Sequence, residues 1–193
     1  MQALDRVLAS LAEYGLLLKQ DREIPSVVGL VTGESLRTSW WSHPKGRLIF
    51  AVLSELGDHP DVLSTKLLRN KDTLVHRRLW PALLSVGRAR AAWQRDGLSR
   101  EAERLLERLD EREPVRATGA PVKELEKRLL ATTRQVHTAS GRHEIALESW
   151  RDWSRRTGVR PVASIPRAKK ALEEAAVRLW APVEALPWHS LQN

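Results

Sequence analysis

Between Ser39 and Pro81 two adjacent tryptophans, Trp40 and Trp41, precede a run of cations: Lys66, Arg69, Lys71, Arg77 and Arg78. Guanidinium and ammonium groups grip phosphate oxygens, and indole rings stack on bases. The cations are offset locally by only Asp61 and Asp72, so the segment predicts a phosphate-gripping surface. If the Trp40–Trp41 segment is extended, its two rings point in opposite directions. One of them is then expected to line a surface or cleft, where a base could stack for roughly 1 to 3 kcal/mol. In the second half Arg134, His137, Arg142 and His143 surround a short Ala-Ser-Gly turn. Arg134 and Arg142 are the corresponding phosphate contacts there, unless Glu144 and Glu148 neutralise them.

Catalytic and metal chemistry find less support. His43, His59 and His76 come from three different elements, but no HExxH or HxH spacing occurs, and scattered histidines are more often structural. No metal and no cofactor is expected. A base-excision or phosphodiester-cleaving enzyme would need a carboxylate or histidine to activate water beside cations. Asp58, Asp61, His76 and Glu34 could supply one, yet there is no paired-carboxylate motif, GxSxG or P-loop. No catalytic residue is assigned.

The elements that must position these groups follow from periodicity and punctuation. Leu4, Val7, Leu8, Leu11, Gly15 and Leu18 recur at helical spacing, predicting a first helix that ends near Lys19. IPSVVGLVTGE mixes glycines with β-branched residues and predicts a short strand. Ser42, ahead of His43 and Pro44, is the expected cap of a helix through RLIFAVLSEL, which Gly57, Asp58 and Pro60 stop. VLSTKLL and TLVHRRL then predict a hairpin turning at Arg69, Asn70, Lys71 and Asp72. Trp80 and Pro81 open the next helix, and Ser99 caps another. Arg112 to Pro121 reads as a linker.

The second half repeats the order: a helix from Val122 to about Ala131, strands TTRQVHT and HEIAL, a helix from Glu148, and a last helix after Ser164. The expectation is an α+β, mainly helical chain with an N-terminal and a C-terminal helix. Its core would be two helix-hairpin-helix subdomains, 1–112 and 113–193. A basic hairpin flanked by helices loosely resembles winged-helix modules, whose wing contacts phosphate or minor groove while a helix enters the major groove.

Net charge is +8 with no cysteine. The charge attracts anionic partners, although an Ala-, Arg- and Leu-rich chain also acquires it from coding bias. Absence of cysteine fits a reducing compartment, and Asp5 and Glu13 break any leader-like apolar run. A cytoplasmic protein without a membrane partner is expected. The leading reading is nucleic-acid binding, duplex DNA before RNA. A nucleic-acid-processing enzyme and a protein-interaction module with docking tryptophans are the alternatives, and self-association into a homo-oligomer is left open.

Overall fold

The computed structural model describes residues 2–111, 115–137 and 143–190, without the side chains of 135–137 and 143–145. Packing divides the chain into two compact units, Met1–Trp80 with Lys170–Leu186, and Pro81–Lys169 with Pro187–Asn193. Each holds a small antiparallel three-stranded sheet among helices, so the chain is α+β and mainly helical. No helix among the described residues is long and apolar enough to cross a membrane.

The first eighty residues run through α1 (Gln2–Tyr14), β1 (Leu16–Leu18), α2 (Val27–Thr32), a 3-10 turn at Trp40–Ser42 and α3 (Gly46–Asp58). A hairpin of β2 (Val62–Lys66) and β3 (Asp72–His76) follows. β3 lies between the other strands, pairing Leu17 with Leu74 on one side and Ser64 with Leu74 on the other.

Helix α1 stops before the expected Lys19, at Gly15, where φ is 85° and a Cβ would stand 2.8 Å from Leu79 Cδ1. Leu16, Leu17 and Leu18 continue as a fully buried strand. An unbroken apolar run carries no period that separates helix from strand.

The strand expected over IPSVVGLVTGE is instead α2. Ser26 Oγ accepts the Gly29 amide at 3.1 Å, and Gly33 closes the other end at φ 86°. The buried Val27, Val28 and Val31 share one face. Two good caps and that burial outweigh the β preference of valine. Nor does Ser42 cap α3. Its Oγ donates to the Ser39 carbonyl at 3.3 Å within the 3-10 turn, and the helix starts at Gly46.

The hairpin forms with shorter strands than expected: Leu67 and Leu68 belong to the connection, Asp72 joins β3, and Arg77–Leu79 form a 3-10 turn. Its connection carries Arg69 and Asn70 in the left-handed region, at φ 51° and 55°, over the fully buried Leu67 and Leu68.

The chain continues through α4 (Trp80–Arg88), α5 (Ala92–Arg95), α6 (Arg100–Glu111), β4 (Val115–Arg116) and α7 (Ala120–Lys127). Then come β5 (Thr132–His137), β6 (His143–Glu148), α8 (Trp150–Thr157), α9 (Ile165–Arg178) and α10 (Pro187–Ser190). Ser99 caps α6 as expected, its Oγ accepting the Ala102 amide, while Glu124 accepts from both the Ser99 amide and its hydroxyl. Within the expected linker, Val115 and Arg116 form β4 against β6. Val115 packs with Leu105, Leu109, Leu125 and Leu147 in the core of this unit. The second sheet has the order β4-β6-β5, so in both sheets the short first strand lies against the last.

Glu148 stays in β6, and Ser149 caps α8 in its place. The Glu148 carboxylate is 2% exposed and takes both Arg156 Nε at 3.0 Å and Arg156 Nη2 at 2.8 Å. Arg156→Ala strands a buried anion, which costs roughly 3–5 kcal/mol for a fully enclosed pair. Arg156 is itself about half exposed, so water relieves part of this and the expected loss is about 2 kcal/mol. Urea unfolding measures it, and a loss below about 0.5 kcal/mol would place the pair with weak surface bridges.

Candidate nucleic-acid interface

Lys66, Arg69 and Lys71 lie at the turn end of the hairpin and Arg77 and Arg78 beyond its other end, and each has a partner. Lys66 pairs with Asp72 across the strands. Lys71 Nζ lies 2.6 Å from Asp21 Oδ2, and Arg69 Nη1 lies 2.9 Å from Glu23 Oε2 and 3.8 Å from Asp21 Oδ1. Arg77 binds Asp61 at 2.9 Å, and Arg78 Nη2 donates to the Glu13 carbonyl at 2.7 Å. The groups expected to face a polyanion are thus engaged by carboxylates and a carbonyl. Exposed pairs of this kind contribute little to stability, but Asp21 is different.

Its carboxylate is 1% exposed and accepts the Glu23 and Ile24 amides at 3.0 and 3.1 Å as well as Lys71. Burial pushes the Asp21 carboxyl up; Lys71 and the two amides outweigh that and hold it below its ordinary value. Sequence reasoning missed Asp21 and Glu23, although Asp followed by Pro25 is a turn signal.

The tryptophan pair resolves into two roles. The segment is a 3-10 turn, and the rings stack on each other at 4.0 Å between centroids and 24° between planes. Trp40 is buried at 5% exposure, whereas Trp41 is 68% exposed. Phe50 of α3 stands 6.0 Å from Trp41, and Phe50 and Leu48 are also exposed. Gly46 presses on this turn, since a Cβ there would lie 3.2 Å from the Trp41 carbonyl oxygen and 3.3 Å from that of Trp40. Lys45 Nζ anchors the approach by donating to the Val31 and Thr32 carbonyls at the end of α2.

Two exposed arginines bracket this turn in the chain, Arg37 before it and Arg47 on the first turn of α3. Among the described residues neither side chain makes an ion pair, in contrast to the hairpin cations. Helical spacing on the polar face of α3 was the sequence signal for Arg47.

Of the catalytic candidates Glu34, Asp61 and His76 are occupied, while Asp58 is exposed at the end of α3. His43 Nε2 meets Glu34 at 3.2 Å while its Nδ1 accepts the Lys45 amide. His59 Nδ1 accepts the Asp61 amide, and His76 Nδ1 that of Arg78. Burial, then Arg78, pushes the His76 imidazole below its ordinary value. These three histidines cap turns. No group of three potential metal ligands occurs among the described residues.

In the second hairpin, Arg134 lies on β5 opposite Ala146, half-buried, its Nε without a hydrogen-bond partner. Arg142 lies outside the described residues. No protein-family model, curated protein or solved structure matches the chain.

Proposed function

We propose that the chain binds nucleic acid, duplex DNA before RNA, with residues of the first unit acting as a winged-helix module. The observation that carries this is topological: α1, β1, α2, α3, β2 and β3 follow one another with the strand order β1-β3-β2. Winged-helix modules place their elements in this order. In that arrangement α3 is the helix that enters the major groove and β2–β3 is the wing. At 1.5 Å per residue α3 is about 20 Å long, and a groove of about 12 Å admits a helix. Arg47 on its first turn is exposed and unpaired, suited to a phosphate or to a guanine edge. The wing cations serve first to hold the hairpin to the segment around Asp21, leaving Arg47 and Arg37 as the leading contacts. A net charge of +8 favours the encounter.

Fluorescence anisotropy with a labelled duplex tests the reading. Affinity should fall steeply with added salt, because each neutralised phosphate releases counterion. Arg47→Ala should weaken binding several-fold and lower the salt slope by about 1 if it contacts phosphate. Absence of binding at about 50 mM salt, or affinity indifferent to Arg47, would remove the proposal.

One observation favours a second reading. Trp41 and Phe50 expose apolar surface side by side, and such patches commonly mark protein interfaces. A docked protein would bury that face, and its binding would be largely insensitive to salt.

A further inference from the structure

We infer that the exposed Trp41 ring is a stacking platform for an unpaired base, so that the preferred ligand is DNA carrying a single-stranded or extruded nucleotide rather than uniform duplex. This inference rests on the nucleic-acid reading and narrows its substrate class.

A surface indole is a useful platform only when it is already held in place, because ordering a free side chain costs entropy at the moment of binding. Trp41 is held. Trp40 supports one face at 4.0 Å, and Trp40 itself is buried. Phe50 approaches at 6.0 Å. The backbone beneath is a 3-10 turn closed by the His43 amide donating to the Trp40 carbonyl at 3.1 Å, with Gly46 packed against both carbonyls. His43, locked between Glu34 and the Lys45 amide, fixes the exit of the turn.

The exposed part of the Trp41 ring therefore offers π-surface backed by the buried Trp40. A base lying on it would extend the Trp40–Trp41 stack by one ring.

Charge selects a base over an apolar peptide side chain. The nearest chain neighbours with unpaired cationic heads are Arg37 and Arg47, one on each side of the turn in sequence, and a base brings a phosphate on either side of its sugar. The carboxylate close in sequence, Glu34, is turned to His43. A fully paired duplex shows its π-faces to its own neighbours, so a single ring can engage only a base that has left the stack. One supported ring, with the unpaired Arg37 and Arg47 a few residues away along the chain, suits a strand with a gap, bulge or free end.

Anisotropy titrations of the full chain with three labelled probes of one sequence decide the matter: a perfect duplex, the same duplex with a one-nucleotide bulge, and the single strand. Expected is binding of the bulged or single-stranded probe at least about 5-fold tighter than the duplex. Trp41→Ala should abolish that preference while leaving duplex affinity within about 2-fold, and Trp41→Phe should retain part of it. Because Trp41 is 68% exposed, the variants are expected to fold, and thermal melting checks this. Equal affinity of the wild-type chain for all three probes, or a preference that survives Trp41→Ala, would overturn the platform while duplex binding stood. Failure to bind any probe would overturn both readings. Light scattering that shows a dimer converted to monomer by Trp41→Ala would assign the ring to a second copy of the chain instead.

Discussion

Gly87→Ala is expected to destabilise the protein by about 4 kcal/mol. Gly87 lies in α4 directly against the indole of Trp150, and a Cβ built there would stand 2.6 Å from Cε2 and 2.7 Å from Cδ1, with Nε1 nearer still. The ring has nowhere to go. It is 2% exposed, and its Nε1 donates to the Leu129 carbonyl at 2.8 Å.

That carbonyl belongs to a residue in the left-handed region, φ 51°, and also receives Gln94 Nε2, which reaches the Gly87 and Arg128 carbonyls as well. Relief of the clash therefore means breaking a buried hydrogen bond or shifting a helix. Overpacking costs roughly 1–3 kcal/mol, and an orphaned buried polar group about as much again. Denaturant unfolding of wild type and variant gives the number; a change under about 1 kcal/mol would show that α4 moves freely. Trp150→Phe combined with Gly87→Ala should recover part of the loss, because the smaller ring vacates the contested space.

Asp21→Ala comes next, with an expected loss of about 3 kcal/mol. It removes the acceptor of two amides, one of them buried, and leaves Lys71 without its anion. The loss should depend on pH with a definite sign. The folded carboxyl titrates below its ordinary value of 3.8, so the unfolded chain binds the proton first as pH falls. The stability contributed by the charge is complete above the unfolded value, near pH 4, and disappears as pH drops through the folded one.

Asp21→Asn isolates this term because its side-chain oxygen still accepts the amides. The stability gap between wild type and Asp21→Asn should be constant above about pH 5 and close below about pH 4. A gap unchanged down to about pH 2 would mean that the charge contributes nothing.

How much of this was legible in sequence varies from element to element. Helix α6 was readable from Ser99 and its alternating acids and leucines, because cap and period lie within a few residues of each other. The hairpin was readable for the same reason: β-rich runs flank polar residues, and Asn70 tolerates the left-handed turn. The strand β1 and the helix α2 were not. Leu16–Leu18 has no internal period, and α2 contradicts the local preference of its valines, so packing decided both. The cations at the hairpin were legible as residues, but their partners were not.

By itself the sequence determined the local units, namely the capped helices, the β2–β3 hairpin, the mixed helical and sheet composition and the positive charge. Each depends on residues close along the chain. Only the tertiary structure decided which charges are spent and which rings are free. Lys71 meets Asp21 from 50 residues away, a distance no local pattern spans, and that meeting turns expected phosphate contacts into the fastening of the hairpin. The neighbours Trp40 and Trp41 are chemically identical, and a single 3-10 turn buries one and exposes the other. The exposed indole and the unpaired Arg47 and Arg37 then become the groups to test.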